Sequence, residues 1–157
     1  MLASVACVIN KSSAILPITC EQAFDLAADI EKYPEFLSGW ISARIVQRDG
    51  DRWCVEQIVG IGPLRVSFSS RAVLDPPRRI DVTSSEAPFE SFNLSWLIDA
   101  VPPAGCRVSI IAAVELRSRM LQRMVKRMMP AAVDDVVAAF EARARRVRGE
   151  APPVGRG

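Results

Sequence analysis

Two runs of alternating residues, joined by one turn, decide the fold. The stretch Phe92–Leu116 reads FNLSWLIDAVPPAGCRVSIIAAVEL. Apolar side chains occupy every second position of each run, which is the period of a half-buried strand. In the first run they are Phe92, Leu94, Trp96 and Ile98, and in the second Val108, Ile110, Ala112, Val114 and Leu116. Since Pro102–Gly105 between them is a turn signal, the stretch predicts an antiparallel pair of strands with one apolar face.

The same period extends towards the N-terminus. Strands are predicted at Ile41–Ile45, Trp53–Val59, Val66–Leu74 and Ile80–Val82. Asp49-Gly50 is a typical two-residue hairpin turn between the first two of them. Six strands joined by tight turns predict an antiparallel meander rather than a βαβ fold. Lys11–Ile18 is predicted as a seventh strand, at an edge of the sheet.

Helical patterns bracket the strands. Thr19, with glutamine three residues later, has the capping-box pattern that begins a first helix, and Pro34 favours a turn or a short second helix. A long helix is predicted over residues 118–148, with Pro130 kinking or dividing it. Its predicted apolar stripe contains Leu121, Met124, Met128, Ala132, Val136, Phe140 and Val147.

The predicted order is β-α-α-β6-α, a single α+β domain. A curved antiparallel sheet with one apolar face needs a cover, and the long last helix is the element able to supply it. Residues 11–149 are predicted to form the domain, residues 1–10 an N-terminal extension and residues 150–157 a disordered tail.

The composition excludes several kinds of site. The 157 residues are 50% hydrophobic and include no histidine, so Ser-His-Asp and Cys-His nucleophile systems are excluded. Four widely spaced cysteines predict reduced thiols rather than a metal cluster, and we expect no metal site. No stretch approaches the length of a membrane span, so we expect a soluble cytoplasmic protein.

Methionines are concentrated in the last helix. Four of the five methionines lie there, at positions 120, 124, 128 and 129. Because methionine adapts to irregular apolar partners, the helix either packs as ordinary core or lines a pocket against the sheet. On the pocket hypothesis the ligand-binding candidates are Trp40, Phe68, Phe89, Phe92, Trp96, Met124, Met128, Val136 and Phe140. Both interpretations stay open at this point.

Positive charge gathers on the same helix. Residues 117–148 carry nine Arg or Lys and three acids, a local charge of +6, against −4 for the rest of the chain. The cations near its start, where the helix dipole disfavours them, are Arg117, Arg119, Arg123, Lys126 and Arg127. They form either an ordinary solvated face or a contact with an anionic membrane surface. DNA is not an expected partner, because the aromatic residues fall at inward strand positions.

Three polar residues are candidates for acid–base catalysis: Tyr33, Glu56 and Arg71. Arg71 lies on the strand face opposite Phe68 and is expected to point to solvent, while the pattern leaves the side of Glu56 open. A catalytic group must reach the substrate, so an enzymatic function depends on one of the three lining a pocket.

Several segments together have a family likeness. They are Phe24–Leu37, Ser67–Arg71, Leu74–Ile80, Pro88-Phe89, Trp96, Gly105–Val108 and Ala139–Ala144. The specific combination is Tyr-Pro-x-Phe-Leu at 33–37 with Ala-Phe-x-x-Arg-Ala at 139–144. On these segments, which run in order over nearly the whole chain, the protein resembles the coenzyme Q-binding COQ10/START-like family of the SRPBCC superfamily. That family also includes oligoketide cyclase or lipid-transport proteins and the RatA toxin group.

The resemblance implies the helix-grip fold, a curved antiparallel sheet around a long C-terminal helix with a hydrophobic cavity between them. It also implies an apolar ligand such as ubiquinone, without a further cofactor. It places Tyr33, Phe36 and Leu37 at the cavity mouth, and Phe68, Phe89, Trp96 and Phe140 along the cavity. Family members usually continue after Leu37 with proline, whereas this chain has Ser38-Gly39-Trp40, which predicts a reshaped mouth.

The leading hypothesis is a non-catalytic carrier or chaperone of a lipophilic small molecule, a quinone or polyprenyl lipid. It would work in the cytoplasm, in peripheral contact with the inner membrane. One alternative is a polyketide cyclase or aromatase that uses the same cavity. The other is a RatA-type inhibitor that acts on the ribosome through the basic helix.

Overall fold

The computed structural model describes residues 8–147, so the predicted tail at 150–157 lies outside the described residues. The elements are β1 (Val8–Leu16), α1 (Cys20–Ala28), a 3-10 turn (Ile30–Lys32), α2 (Tyr33–Phe36), β2 (Trp40–Asp49), β3 (Arg52–Ile61), β4 (Leu64–Asp75), β5 (Arg79–Ser84), β6 (Phe89–Val101), β7 (Gly105–Leu116) and α3 (Arg119–Val147). The predicted order β-α-α-β6-α is confirmed.

The seven strands form one antiparallel sheet in the order β1-β7-β6-β5-β4-β3-β2. Strands β2 to β7 are the predicted meander, and β1 pairs with β7, so β1 and β2 are the edges. Trp96 lies opposite Ile110 and Leu94 opposite Ala112, which gathers the alternating apolar residues on one face. Because α3 packs against that face, the helix-grip fold is confirmed.

The connection from β1 to β2 begins with the predicted helix cap at Thr19. The Thr19 hydroxyl accepts from the Gln22 backbone N–H at 3.0 Å, and the Gln22 side chain accepts from the Thr19 backbone N–H at 3.0 Å. This capping box satisfies two N–H groups at the start of α1, and the helix then buries Ala23, Phe24 and Ala27. The short second helix predicted at Pro34 is present as α2.

One strand boundary differs from the prediction, and the last helix is not divided at its proline. Strand β1 begins at Val8 rather than Lys11 and pairs with β7 from its first residue, so residues 8–10 of the predicted extension belong to the sheet. Helix α3 is continuous through Pro130, although proline supplies no N–H for the helical ladder. Pro130 is exposed, so water can satisfy the carbonyl that lacks its helical donor.

Helix α3 rests on two hydrophobic clusters. In the large cluster, Val133, Val137 and Phe140 pack with Trp96. The small cluster holds Val125 together with Val59, Val66, Phe68, Phe89, Val114 and Leu116. The buried residues of α3 are Val125, Val133, Val137, Phe140 and Ala144.

The predicted stripe of α3 is correct only in part. Phe140 is buried, and Leu121 and Val136 pack against the clusters. Met124 and Ala132, in contrast, each directly precede a buried valine, and one residue is a rotation of about 100° about the helix axis. These valines face the sheet more directly than the predicted residues beside them.

Candidate ligand-binding site

A cavity of about 180 Å³ lies between α3 and the concave face of the sheet, lined by members of both clusters. Its sheet wall is formed by Val59, Phe89, Phe92, Leu94, Ile110, Ala112 and Val114. Its helix wall is formed by Met129, Ala132, Val133 and Val136, and its rim by Ser38, Gly39, Trp40, Gly60 and the exposed Asp135. Apart from Ser38 and Asp135, the lining residues are glycine or have predominantly apolar side chains, so the cavity suits an apolar guest.

Some of the predicted ligand-binding residues line this cavity and others do not. Trp40, Phe89, Phe92 and Val136 line it. The predicted mouth residues Tyr33 and Leu37 are buried in the large cluster instead, at 2% and 1% exposure. The next residues along the chain, Ser38, Gly39 and Trp40, line the cavity instead.

Four further aromatic candidates do not line the cavity. The rings of Trp96 and Phe140 pack 4.8 Å apart in the large cluster, and Phe36 packs against Phe140 at 6.4 Å. Phe68 belongs to the small cluster and contacts the ring of Phe89 at 4.9 Å. The alternation found the correct face of the sheet, but a shared face does not separate tightly packed positions from those that border the cavity.

The lining residues missed by sequence reasoning lie mostly on β7 and α3. Ile110, Ala112 and Val114 were recognised as inward-facing without being assigned to a pocket. On α3, Val133 and Asp135 were missed, while Ala132 was predicted in the apolar stripe and Met129 in the methionine group without being assigned to the cavity. The one available signal was the small residue Ala112 among larger inward neighbours, since a small side chain leaves room opposite it.

Tyr33 has a structural role in this fold. Its hydroxyl donates to the Ala27 backbone carbonyl, and its ring packs against those of Trp40 and Trp96. Burial, reinforced by the negative charge of Asp29, raises the pKa of Tyr33 well above its ordinary value. The hydroxyl therefore stays protonated, and it does not line the cavity, so it does not serve there as a base.

A chain of buried hydrogen bonds holds Trp40 at the cavity rim. The Trp40 indole Nε1 donates to Gln57 Oε1 at 2.7 Å, and Gln57 Nε2 donates to Ser70 Oγ at 2.8 Å. The Ser70 hydroxyl donates to the Val55 carbonyl at 3.0 Å. Gln57 and Ser70 are both 4% exposed, and a satisfied buried network fixes the orientation of its members.

The other two catalytic candidates lie on the outer face of the sheet. Glu56 is exposed and accepts from Arg44 Nη2 at 3.0 Å. Arg71 is exposed on the same face, as the sequence predicted. Neither residue lines the cavity, so none of the three predicted catalytic groups reaches a ligand bound there.

A gap in the sheet beside the cavity is closed by phenylalanines. Strand β5 ends at Ser84, whereas β4 extends to Leu64 on one side and β6 to Phe89 on the other. Phe68, Phe89 and Phe92 fill the space between β4 and β6, with ring centres 4.9 to 5.1 Å apart. Because Phe89 and Phe92 also line the cavity, this cluster forms part of the cavity wall.

Arg117 holds the loop that crosses this gap. Its Nε donates to the Phe89 carbonyl at 3.0 Å, and its Nη2 donates to the Ser85 carbonyl at 2.9 Å. At the other side of the gap, Glu86 Oε1 accepts from the Ser69 backbone N–H at 2.8 Å. Arg117 was predicted as a partner-contact residue with the other cations, but the structure engages it in an internal fastening.

The remaining cations form an open surface with the methionines. Arg119, Arg123, Lys126 and Arg127 are exposed, and none makes an ion pair with another described residue. A groove on the same side of α3 is lined by Pro63, Met120, Arg123, Met124, Arg127 and Met128. We call these residues, with Arg119 and Lys126, the Met/Arg surface. The predicted ligand-binding residues Met124 and Met128 therefore lie outside the cavity.

The Met/Arg surface adjoins the cavity mouth through the β3–β4 turn. Gly60 is on the cavity rim, and two residues later a Cβ added to Gly62 would lie 3.0 Å from Met128 Cε. Gly62 has φ +59°, a conformation that favours glycine. The backbone conformation therefore favours glycine at this position, and an added side chain would also have to displace the end of the Met128 side chain.

Two negative findings apply to the described residues 8–147. No helix there is long and apolar enough to span a membrane. No group of three or more cysteine or acidic side chains in that range could hold a metal ion, and Cys20, Cys54 and Cys106 are free thiols.

Comparison with protein families gives one extended match. A family model described as "Polyketide cyclase / dehydrase and lipid transport" matches residues 16–141. Among curated proteins, the "Ribosome association toxin RatA" of Pseudomonas aeruginosa is 26% identical over 137 residues, which cover 87% of this chain and 95% of that protein.

Solved structures share the architecture. The Zhui aromatase/cyclase from Streptomyces sp. R1128 superposes with a TM-score of 0.83 at 14% identity, covering 92% of this chain and 98% of that one. A START superfamily protein from Mycobacterium smegmatis gives a TM-score of 0.78 at 16% identity, covering 88% and 98%. At these identities the likeness shows the fold, a START-like sheet around a long C-terminal helix.

Proposed function

We propose a ligand-carrying function from the premise that this chain belongs to the polyketide cyclase / dehydrase and lipid transport family. The protein binds the apolar part of a lipophilic small molecule in the cavity between α3 and the sheet. A quinone or a polyprenyl lipid is the ligand class we favour, and ubiquinone is one member of it. The protein acts as a carrier or chaperone of this molecule in the cytoplasm.

The observation that carries this proposal is the apolar cavity itself. The cavity of about 180 Å³ leaves its apolar lining without packing partners on one side, and such missing contacts lower the stability of a domain. A cavity of this size with an open rim is understandable if a ligand restores the missing contacts.

The volume limits what enters. Pockets for drug-sized ligands measure roughly 300–1,000 Å³, so about 180 Å³ admits one substituted ring or a short branched chain. For a quinone with a long polyprenyl tail, we place the ring or the first isoprene unit inside. The rest of the tail then leaves through the mouth beside Ser38 and Gly39.

The Met/Arg surface supplies the membrane contact of this proposal. Unpaired cations near a bilayer gain about 1 kcal/mol each from anionic lipids, and Met120 is 78% exposed as an apolar group among them. Because this surface adjoins the mouth through the β3–β4 turn, a protein resting on the bilayer would present the mouth close to the lipid.

The binding test uses a larger side chain on β7 to fill the cavity. Ala112 lines the cavity, whereas its neighbour Ala113 lies on the opposite face of the strand. We expect wild type and Ala113→Leu to bind naphthalene and a ubiquinone carrying a single isoprene unit, as measured by isothermal titration calorimetry. Ala112→Leu and, from the helix side, Val136→Phe should lose that binding while raising the unfolding free energy by about 0.5–2 kcal/mol. Equal binding by all variants, or no binding by wild type, would refute the proposed site.

A second candidate function is association with the ribosome. It is favoured by the relatives named RatA and by the same unpaired cations, which also suit the phosphates of RNA. Replacing Arg119, Arg123, Lys126 and Arg127 together by Glu should abolish co-sedimentation with ribosomal subunits, and Arg145→Glu with Arg146→Glu provides a control on the same helix. Unchanged subunit profiles with excess wild-type protein would remove this candidate. Retention on anionic vesicles alone would favour the membrane.

The cyclase alternative has less support from the cavity. The Zhui aromatase/cyclase shares the fold, but of the described lining residues only Ser38 and Asp135 carry ionisable or hydroxyl groups. A cyclase mechanism would therefore have to rely on one of these two at the rim. Turnover of a polyketide-like substrate that disappears in Asp135→Asn would revive it.

A further inference from the structure

We propose that Asp135 selects the ligand at the cavity mouth. It favours molecules whose exposed end carries a hydrogen-bond donor or a positive charge and disfavours carboxylates. This inference rests on the proposed binding function and names the class of ligand within it. The ligand is then an amphiphile with an apolar ring or chain inside and a hydroxyl, phenol or amine at the mouth.

The first observation is the charge of the lining. Among the lining residues of the cavity, Asp135 is the one charged side chain, and no Arg or Lys is present. Moving a carboxylate ligand from water into this cavity is therefore costly, because no cation there pairs with it. The ligand would also be repelled by the negative charge of Asp135 at the mouth, which weakens its binding further.

The second observation is that Asp135 has no ion-pair partner among the described residues. On a helix, the residues three and four positions away are the neighbours that normally pair with an aspartate. For Asp135 all four are alanines, at positions 131, 132, 138 and 139. By contrast, Glu141 on the same helix pairs with Arg145 at 3.0 Å.

The third observation is the cost of an aspartate at this position. Asp135 lies in the interior of α3, away from the N-terminal turn, where the helix dipole would favour it. Aspartate is also a weak helix former in such positions. Helix stability does not account for the residue. Asp135 and Ser38 are both exposed and both line the cavity, so each is available to a ligand held there.

Ser38 completes the recognition. Its hydroxyl is exposed on the rim and is able both to donate and to accept a hydrogen bond. A ligand hydroxyl at the mouth can therefore donate to Asp135 and accept from Ser38. The nearby indole N–H of Trp40 is already used by Gln57, so it does not compete for the ligand.

The test compares three ligands with the same apolar body: 2-naphthol, 2-naphthylmethylammonium and 2-naphthoate. Affinities are measured by isothermal titration calorimetry at neutral pH and low ionic strength, because salt screens charges at an exposed mouth. We expect the wild-type protein to bind naphthoate about tenfold more weakly than naphthol. Asp135→Asn should narrow that ratio to about threefold or less and weaken the ammonium ligand.

Asp134→Asn is the matched control. Asp134 is the adjacent residue, is exposed and does not line the cavity, so this variant makes the same change in net charge on the same helix. It should leave the three affinities as in wild type. Urea midpoints of both variants confirm that the fold is retained.

Different results separate this inference from the proposed function. If naphthoate binds wild type as tightly as naphthol, or if Asp134→Asn acts like Asp135→Asn, selection by Asp135 is wrong while the cavity remains a ligand site. If neither unsubstituted naphthalene nor any of the three ligands binds, the proposed function fails and this inference fails with it.

Discussion

The guanidinium carbon of Arg143 lies 4.9 Å from the centre of the Phe36 ring. The same guanidinium donates through Nη2 to Glu35 Oε1 at 3.1 Å. Arg143 belongs to α3, and Phe36 and Glu35 belong to α2. One side chain thus fastens the C-terminal half of the covering helix to the segment that precedes the sheet meander.

This fastening predicts that Arg143 stabilises the fold mainly through its planar group. A cation over an aromatic face contributes about 0.5–1 kcal/mol at an exposed site. Arg143→Lys retains the charge but not the planar contact, so we expect its unfolding free energy in urea to fall by about 0.5–1 kcal/mol. Arg145→Ala, which removes an exposed pair with Glu141, is the control and should cost less. An equal loss in both would contradict the prediction.

Glu35 predicts a pH dependence of stability. The hydrogen bond from Arg143, with a smaller contribution from Lys32, holds the pKa of Glu35 below its ordinary value. A carboxyl group with a lowered folded-state pKa stabilises the protein above its unfolded pKa and loses this contribution as the pH falls through the folded one. Glu35→Gln should therefore be less stable than wild type at neutral pH and equal to it in acid. Urea midpoints over a pH series test this, and a difference that does not change with pH would count against it.

Tyr33→Phe separates a structural role from a binding role. The variant leaves the buried Ala27 carbonyl without the hydroxyl donor, which should lower the unfolding free energy by about 1–3 kcal/mol. Because Tyr33 does not line the cavity, the affinity for naphthalene should be unchanged in calorimetry. Lost affinity with intact stability would place Tyr33 in the site after all.

Gln57→Leu should disturb Trp40 at the cavity rim, although Gln57 itself does not line the cavity. It deprives the Trp40 indole N–H of its acceptor and leaves Ser70 with only its bond to the Val55 carbonyl, and an unpaired buried polar group costs about 1–3 kcal/mol. The loss should appear in urea unfolding together with a shifted tryptophan emission. Ser70→Ala should cost less stability in the Gln57→Leu background than in wild type, because one of the two hydrogen bonds of Ser70 is already lost there. Additive losses would show that the hydrogen-bond chain does not act as a unit.

Arg117 is expected to behave differently from the other cations at the start of α3. Arg117→Ala removes two hydrogen bonds to the β5–β6 loop, so backbone amides at residues 85–90 should exchange hydrogen faster. Its binding to anionic vesicles should remain close to that of wild type. Arg123→Ala should show the reverse, with weaker vesicle binding and unchanged exchange. If the backbone amides exchange hydrogen at similar rates in both variants, Arg117 should be assigned to the partner-contact cations after all.

The architecture was predictable because each local pattern agrees with the global fold. The alternation in residues 92–116 named the inward face of β6 and β7, and the Thr19 cap marked the start of α1. The start of strand β1 was harder to predict from the sequence, because Val8 to Asn10 carry no turn signal and their pairing with β7 is a long-range contact. Patterns among neighbouring residues in the sequence do not reveal such contacts.

The candidate site was only partly predictable. Trp40, Phe89, Phe92 and Val136, which were predicted as ligand-binding residues, line the cavity, since aromatic residues at inward positions surround any space on that face. On the helix side the prediction was incomplete because α3 carries two apolar sets with the same spacing, one beginning at Met124 and one at Val125. The choice between them depends on which set meets the sheet, a property of the packed molecule that helical periodicity does not contain.

The two clusters under α3 have a consequence for how the protein tolerates sequence change. Val125 and Phe140 belong to different clusters and lie about 22 Å apart along the helix at ~1.5 Å per residue. Substitutions so distant have nearly additive effects on stability where they share no partner, and here the clusters are joined only at their margins, through Trp40, Phe92 and Met129. The half of α3 that carries the Met/Arg surface can therefore change in sequence with little effect on the contribution that Phe140 makes to stability.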